Sequence, residues 1–428
     1  MTLLQSGEGR ITMLRLFRRG TVALVSTICL GTPFPSEAAG GQKGLHPEPP
    51  TPAIIATPAR MGSREPNLET LPDGRVLMSW LEPSGNAGFA LRCAAYDGRH
   101  WSKPSTIASG DSFFVNWADV PSVRSLGGKR VGAHWLWRSG ADTYAYDVRI
   151  SQSNDGGLTW SAPITPHRDG LAVEHGFASL VSDSGAAVAV WLDGRKSAGH
   201  AEDSPGPMPD MTLRSATVLG DGRLRDEAEL DDRTCDCCQT AAVNTDRGIL
   251  VAYRDRSPDE VRDIVVTRHE AGQWWPLRSV HHDNWRIAGC PVNGPALDAR
   301  RSHVAIAWYT AAIDSPRVYV AFSEDAGDHF ASPTRVDDGS PIGRVHIALL
   351  ADGSALTTWL EASGHDALLR ARRIRPDGAS DSAFTVARTS AARASGCPRV
   401  TRSGDSIVFA WTESGAVPQV RLAMVSLK

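Results

Sequence analysis

The chain has 428 residues, of which 41% are hydrophobic and 22% are charged, with 40 glycines and 27 prolines. This composition excludes an intrinsically disordered chain and is sufficient for one large domain or two ordinary ones. The formal net charge of −3 at pH 7 disfavours nucleic acid as a partner.

The N-terminal segment has the pattern of a secretory signal peptide. Three arginines precede the apolar stretch TVALVSTICLG, and a small-residue cleavage site ends at Ala38. If translation begins at Met13, the segment that ends at Ala38 has the normal length of a signal peptide. We expect residues 1–38 to be the signal peptide and the mature protein to be exported, periplasmic or secreted. Residues 39–51 are expected to form a flexible linker. No other apolar run approaches the roughly 18 residues of a membrane span, so none is expected.

A repeated unit organises the rest of the chain. Seven times, a short apolar strand and a Gly/Asp turn precede a second strand that ends in an aromatic residue, every 51 to 62 residues. These second strands alternate with period two, as half-buried strands do. Their last residues are Trp80, Trp135, Trp191, Tyr253, Trp308, Trp359 and Trp411. Repeats of this length, each one small antiparallel sheet, predict an all-β fold, a β-propeller of four-stranded antiparallel blades.

The first strand of each unit begins at a nearly constant distance before its aromatic residue. The predicted starts are Pro66, Pro121, Phe177, Gln239, Pro291, Val345 and Pro398. The last unit has only three strands, and the stretch PAIIATP at 52–58 supplies a spare one, which we expect to close the ring. The prediction is therefore a single propeller over residues 52–428 with seven blades, or with six if two irregular units are merged.

Hairpins of a second type identify a family resemblance. SNDGGLTW (153–160) fits Ser-x-Asp-x-Gly-x-Thr-Trp, and SEDAGDHF (323–330) is a degenerate copy. In such a hairpin the aspartate accepts backbone N–H groups and glycine supplies the positive φ. These are Asp boxes, and with them the chain resembles the sialidase-like Asp-box (BNR repeat) propellers. The resemblance implies a propeller but no particular activity, because Asp boxes occur in enzymes and in other proteins.

The fold predicts that distant cysteines meet at one place. In a propeller each unit's first strand lines the central channel, so the residues just before it form a ring at the channel mouth. Cys238, Cys290 and Cys397 occupy this position in three different units, and Cys235 and Cys237 lie directly before the first of them. Charged loops and the long segment 194–211, a candidate lid, are expected on the same face.

Three interpretations of these cysteines remain open. Disulfides are expected of close thiols in an exported protein, and Cys238 and Cys290 lie on adjacent units. Metal binding by the five mouth cysteines, together with His175, would suit Cu(I) or zinc. A redox-active pair is the third. Cys93, in the apparent strand ALRCAAY, is interpreted as a small core residue.

The family resemblance also implies arginines and carboxylates that would act on a sugar. Sialidases hold a sugar carboxylate with three arginines, donate a proton from an aspartate, and attack with a tyrosine activated by a glutamate. Ser63-Arg64-Glu65-Pro66-Asn67-Leu68 keeps the arginine, proline and leucine of the family's Phe-Arg-Ile-Pro-x-Leu motif, whereas no tyrosine follows Tyr319. Further ligand-binding candidates are Arg254, Arg256 and Arg344, and the catalytic candidates are Arg64, Glu65, Asp119, Asp255 and Glu260.

Two functions follow from these patterns. The first is a propeller that binds a small molecule or a metal ion at the cysteine-ringed mouth, in periplasmic metal handling. The second is an exo-acting glycoside hydrolase related to sialidases, with a glycan substrate, Arg64 and the mouth carboxylates. The missing late tyrosine favours the first.

Overall fold

The computed structural model describes residues 49–200 and 209–426. The predicted signal peptide, most of the predicted linker and residues 201–208 of the candidate lid lie outside this part of the chain. Within it, no helix has the length and apolar character needed to cross a bilayer. The regular structure is almost entirely β-strand, with three short 3-10 segments at Arg195–Ser197, Ala312–Asp314 and Arg393–Ser395.

The described strands form seven antiparallel sheets, here called blades 1 to 7. Strand β1 (Ala53–Ile55) precedes them. Blade 1 contains β2 (Arg64–Thr70), β3 (Val76–Ser84), β4 (Gly88–Tyr96) and β5 (Ser105–Gly110). Blade 2 contains β6 (Ser122–Ser125), β7 (Val131–Arg138) and β8 (Tyr146–Ser153). Blade 3 contains β9 (His175–Asp183), β10 (Ala186–Asp193), β11 (Met211–Val218) and β12 (Leu224–Thr234).

The remaining blades follow the same order. Blade 4 contains β13 (Ala241–Thr245), β14 (Gly248–Arg254), β15 (Ile264–Glu270), β16 (Gln273–Trp274) and β17 (Arg278–Ser279). Blade 5 contains β18 (Ala296–Arg300), β19 (His303–Thr310), β20 (Arg317–Ser323) and β21 (Thr334–Arg335). Blade 6 contains β22 (Pro341–Leu349), β23 (Ala355–Ser363), β24 (Asp366–Ile374) and β25 (Phe384–Ser390). Blade 7 contains β26 (Arg399–Ser403), β27 (Ser406–Glu413) and β28 (Gln419–Ser426), and β1 is its outer strand.

The predicted seven-bladed propeller is therefore confirmed. Closure of the ring is also as predicted, because β1 pairs with β28 in the register Ala53↔Met424 to Ile55↔Leu422. One sheet thus contains both ends of the propeller. The observed first strands begin within five residues of their predicted starts.

The seven repeated aromatic residues form the core between the blades. Each lies in the second strand of its blade, and each is no more than 3% exposed. Their neighbours come from the preceding blade: Trp135 packs with Leu81 and Leu91, and Trp80 packs with Val408 and Ala410 across the closure. Since every blade buries its aromatic residue against the one before it, the blades stabilise one another around the ring.

The two Asp-box hairpins have the expected local geometry. In the first, the Asp155 carboxylate accepts hydrogen bonds from the Leu158 and Thr159 amides, at 3.0 and 2.9 Å, and from the Thr159 hydroxyl. Gly156 and Gly157 both have positive φ, 83° and 89°. In the second hairpin, His329 takes the place of the threonine and its Nδ1 lies 2.7 Å from Asp325. Both hairpins close outer strands of their blades and lie away from the channel residues.

A central channel runs along the axis. All seven first strands contribute to its wall, and its cavity volume is about 370 Å³. This confirms that first strands from distant parts of the sequence share one surface, as a propeller requires.

Candidate functional site at the channel mouth

Bulges at the mouth ends of three first strands turn the backbone there. Glu65, Phe177 and Arg344 have φ of 54°, 50° and 54°, and each lies at a break in the strand register. Left-handed φ is unfavourable for residues with a Cβ, so the surroundings must hold it in place. Each bulge changes the direction of the strand, so these residues and their neighbours turn toward the mouth.

A side chain from the preceding blade holds each bulge. The Phe177 amide donates to Asp119 at 2.5 Å, the Arg344 amide donates to Asn293 at 2.6 Å, and the Glu65 amide donates to the Thr412 hydroxyl at 3.1 Å. The same bond is thus made by a carboxylate, an amide and a hydroxyl. A negative charge is not needed to hold a bulge.

Three of the predicted cysteines form a compact cluster. The Sγ atoms of Cys235, Cys237 and Cys238 all lie within 4.8 Å of one another, and those of Cys235 and Cys238 are 3.1 Å apart. All three belong to the segment between β12 and β13, which enters blade 4 at the mouth. Cys235 and Cys238 are 1% exposed, whereas Cys237 is half-buried.

Cys290, from the segment that enters blade 5, lies near this group, and its interaction with Cys237 lowers the pKa of the Cys290 thiol. It is solvent-exposed. We call Cys235, Cys237, Cys238 and Cys290 the thiol cluster. All six cysteines in the described part of the chain are free thiols.

The other two cysteines lie elsewhere. Cys397 lines the channel, and its Sγ is 3.7 Å from the amide nitrogen of Gln239, the residue that follows the cluster. Cys93 is buried in the core between blades 1 and 2, 3.1 Å from the Ser105 hydroxyl. The predicted gathering of thiols thus includes adjacent blades 4 and 5, while the thiol of blade 7 forms part of the channel wall.

The charges around the thiol cluster favour a thiolate at Cys235. Burial raises the pKa of this thiol, but hydrogen bonds from Cys237 and Cys238 and the positive charges of Arg254 and Arg262 together bring the pKa well below its ordinary value. Arg262 donates directly to the Cys235 sulfur at 3.3 Å. The interactions with Cys235 and Cys238 raise the pKa of Cys237. Among the thiols of the cluster, these surroundings favour ionisation at Cys235.

The predicted ligand arginines of blades 4 and 6 are bound to backbone carbonyls. All three guanidinium nitrogens of Arg254 have such acceptors, in Asn293, Arg262 and Tyr309 at 2.5 to 3.0 Å, and its plane lies 4.9 Å from the Trp285 ring. Arg344 donates to the Ser395 hydroxyl at 2.7 Å and to carbonyls of the same segment. Both side chains join neighbouring blades.

Asp255 and Glu260 belong to the surroundings of the thiol cluster. Glu260 binds Arg256 at 2.8 Å and Arg262 at 2.9 Å, and these bonds to arginine lower its pKa to about 2. Arg256 also lies 3.3 Å from Asp236, inside the Cys-x-Cys-Cys segment. Burial and the nearby Asp231 raise the pKa of Asp255 to about 6. The charge-dense stretch 253–263 thus neutralises and positions the arginines that face the sulfurs.

Arg64, Glu65 and Asp119 form a separate group at the mouth of blades 1 and 2. Burial raises the pKa of Asp119 to about 7, against a smaller opposing effect of the Phe177 amide. Burial likewise raises the pKa of Glu65 well above its usual range, and the Asp119 charge adds to this while Arg64 opposes it. Arg64 lies over the Phe89 ring at 5.4 Å. Asp119 is thus about half protonated at pH 7, and burial shifts the pKa of Glu65 in the same direction.

Other polar residues of the channel were not predicted from the sequence. Arg124, His134, His346 and Arg399 come from blades 2, 6 and 7 and face one another inside the channel. Burial lowers the pKa of His134 to about 3, and the charges of Arg124 and Arg399 add to that effect. The sequences of their strands have an ordinary alternating pattern. Only the folded structure shows that these side chains face the channel.

His175 lies apart from the thiol cluster. It is the first residue of β9, fully buried, and its ring stacks on that of His167 with centroids 3.7 Å apart. Three aspartates surround this pair: Asp147, Asp169 and Asp193. The sequence singled out His175 but not the four residues around it, which come from β8, β10 and a loop.

Comparison with known proteins shows relatives of the fold only. The sequence matches no family model and no curated protein. Among solved structures, an ulvan lyase from a polysaccharide lyase family is 12% identical with a TM-score of 0.55, covering 87% of this chain and 96% of that one. A Dyadobacter fermentans protein of unknown function is 12% identical with a TM-score of 0.50, covering 88% and 98%. The NanB sialidase of Streptococcus pneumoniae is 13% identical with a TM-score of 0.43, covering 88% and 71%. At these identities the likeness shows the β-propeller fold alone.

Proposed function

We propose that this protein is an exported propeller that binds a soft metal ion, Cu(I) or Zn²⁺, at the channel mouth through the thiol cluster. The observation that carries the proposal is the approach of three sulfurs within 4.8 Å on a single segment. Sulfur ligands select Cu(I) and zinc among the common biological cations.

The surroundings of the cluster support binding and exchange of an ion. A thiolate, not a thiol, is the ligand, and the arginines next to Cys235 stabilise the thiolate in the absence of metal. Cys235 and Cys238 form the buried side of the site, while Cys290 is open to solvent. An ion can therefore arrive at the exposed sulfur and pass to the buried ones, which suits metal handling outside the cytoplasm.

The number of sulfurs favours a metal over a disulfide. The sulfurs of Cys235, Cys237 and Cys238 lie within 4.8 Å of one another, and Cys290 interacts with Cys237 closely enough for the pKa of Cys290 to be lowered. One disulfide joins only two sulfurs, so two separate bridges would be needed to pair all four. One metal ion can bind three or four sulfurs at once, and its positive charge together with those of Arg254 and Arg262 offsets the charge of the thiolates.

Metal content and free thiols, measured together, test this proposal. The mature protein, produced in an exporting host and purified without reductant, should contain about one equivalent of copper or zinc, and its cluster thiols should become titratable only after chelation. Cys237→Ser should lose the metal, whereas Cys93→Ser, which changes a thiol outside the cluster, should keep it. A metal-free protein whose cluster thiols are missing from the titration would indicate disulfides and contradict the proposal.

One observation favours glycoside hydrolysis as a second candidate. Asn293 and Thr412 hold their bulges without charge, so the carboxyl of Asp119 is not required for the equivalent bond. With a pKa of about 7, the Asp119 carboxyl is suited to donate a proton. Glu65 lies near Asp119 and is adjacent in sequence to Arg64. Turnover of fluorogenic sialosides and uronic-acid glycosides, abolished in Asp119→Asn, would support this candidate. No turnover of either substrate class by the folded protein would remove it.

A further inference from the structure

The His167 and His175 rings form a stacked pair between blades 2 and 3. Their planes are 5° from parallel, and the two residues are 7% and 0% exposed. His175 begins β9, and His167 lies in the loop that connects β8 to it. In this stack each ring presents one nitrogen to Asp169 and the other to Asp147.

Asp169 fixes the side of the pair that carries protons. His175 Nε2 is 2.9 Å from Asp169 Oδ2, and His167 Nδ1 is 3.4 Å from Oδ1. The Leu171 amide and the Arg195 guanidinium hold this carboxylate in place, at 3.2 and 3.3 Å. Because a carboxylate only accepts, the histidine nitrogens that face it bear the hydrogens. The opposite nitrogens, His175 Nδ1 and His167 Nε2, then carry lone pairs.

Those lone pairs face another acceptor. Asp147 Oδ1 is 3.8 Å from His175 Nδ1 and 3.7 Å from His167 Nε2. Neither nitrogen has a hydrogen-bond partner among the described residues, although both are buried. Three acceptors thus point together at separations too long for hydrogen bonds. They are close enough to share one ion, because ligand atoms lie about 2.0–2.2 Å from zinc.

We infer that Asp147, His167 and His175 form a second metal site, which binds a divalent transition-metal ion such as Zn²⁺. Asp169 orients both imidazoles from behind, the arrangement in which an outer carboxylate fixes the tautomer of a metal-binding histidine. Asp193 completes the support: it accepts from Trp191 at 2.8 Å and from Arg195 at 2.7 Å, so its oxygens are already used. The donor set of nitrogen and oxygen distinguishes this site from the thiol cluster.

Cobalt is the probe that separates the two sites. The mature full-length protein is stripped with a chelator, reduced, and titrated with Co²⁺ and then with competing Zn²⁺. A thiolate site gives intense sulfur-to-cobalt charge-transfer absorption, whereas a site of nitrogen and oxygen gives weak d–d bands only. The variants are His167→Gln and Asp147→Asn, and His329→Gln is the control because its side chain is 85% exposed in an Asp-box hairpin.

The cobalt spectra of the wild type and of the control should contain the weak d–d bands of a nitrogen and oxygen site, here called the nitrogen and oxygen component. Both variants should lose these bands, and any sulfur-to-cobalt absorption, the sulfur component, should be unchanged. Asp169→Asn should weaken Zn²⁺ binding at this site by about 10- to 100-fold, as expected of an outer carboxylate. Zn²⁺ should raise the melting temperature of the wild type more than that of either variant. Absence of the nitrogen and oxygen component in the wild type, or its persistence in a folded variant, would overturn the inference and leave a proton-sharing His–Asp network in its place. If only the sulfur component is missing from the wild-type spectrum, the proposed metal binding by the thiol cluster is contradicted and the second site is not.

Discussion

Replacement of Asp119 by asparagine should stabilise the propeller at neutral pH and make its stability less dependent on pH. Asp119 is 3% exposed, and its carboxyl accepts the Phe177 amide of the blade 3 bulge. Asparagine retains an acceptor oxygen of the same shape, and Asn293 makes the equivalent bond to Arg344 at 2.6 Å. The substitution therefore preserves the bond and removes the ionisation.

The magnitude follows from the two pKa values of this carboxyl. Burial raises its pKa from 3.8 to about 7 in the folded protein. Between these pH values the unfolded chain has released the proton and the folded chain retains it, so stability falls as pH rises from about 4 to about 7. One pKa unit corresponds to about 1.4 kcal/mol, which sets an upper limit of about 4 kcal/mol on this loss. Asp119→Asn should regain part of it above pH 7 and none below pH 4.

Urea denaturation of wild type and variant at pH 4.5 and pH 8 measures the effect. The difference in unfolding free energy, variant minus wild type, should be larger at pH 8 by about 1 kcal/mol or more. The exposed Asp142→Asn is the matched control and should show no such change. Equal differences at the two pH values would refute the reasoning, because they would mean that the Asp119 carboxyl ionises as readily in the folded protein as in the unfolded one.

Two further substitutions and one truncation test how the blades are joined. Arg254→Met should lower the unfolding free energy by about 3–5 kcal/mol in urea denaturation. The reason is that the carbonyls of Asn293, Arg262 and Tyr309 lose their donors. A loss below about 1 kcal/mol would contradict this role of Arg254. Gly294→Ala should lower the unfolding free energy by about 1–3 kcal/mol in the same assay, since a Cβ there would overlap the Gln239 backbone. An unchanged urea midpoint would mean that the segments before β13 and β18 can move apart freely. Removal of residues up to 57 deletes β1 and exposes the β28 edge, so calorimetry should show a lower melting temperature and light scattering should show more aggregation than in a chain truncated only to residue 48.

The propeller could be predicted from the sequence because its signals are local and repeated. Alternation with period two gives each strand a buried face, and a recurring aromatic residue marks the second strand of every blade. The closing strand was predictable for a similar reason, since a three-stranded last unit requires a partner. The neighbour pairs of Trp80 and Trp135 then follow from the ring itself.

The mouth could be predicted only in part. Of the residues predicted before the first strands, Val120, Arg344 and Cys397 line the channel. Cys238 and Cys290 lie on adjacent blades but are not among the lining residues. Equal register does not determine how far apart two such residues lie around the ring. Cys397, two blades beyond Cys290, therefore contacts Gln239 in the channel wall and does not join the thiol cluster. Neither does register show that the Arg254 and Arg344 side chains are bound to carbonyls, because such acceptors depend on backbone from other blades.

The sequence by itself determined the architecture: seven sheets, their order, their buried faces and the closure of the ring, because each is encoded within one repeat. Only the tertiary structure decided which polar groups meet. His167, His175 and Asp147 come from a loop and two strands whose spacing has no period, and they approach because bulges and loop paths between blades 2 and 3 bring them together. The physical reason is that strand pairing and burial are short-range preferences, whereas the burial, charge and ligand geometry of a site arise only after separate blades have packed.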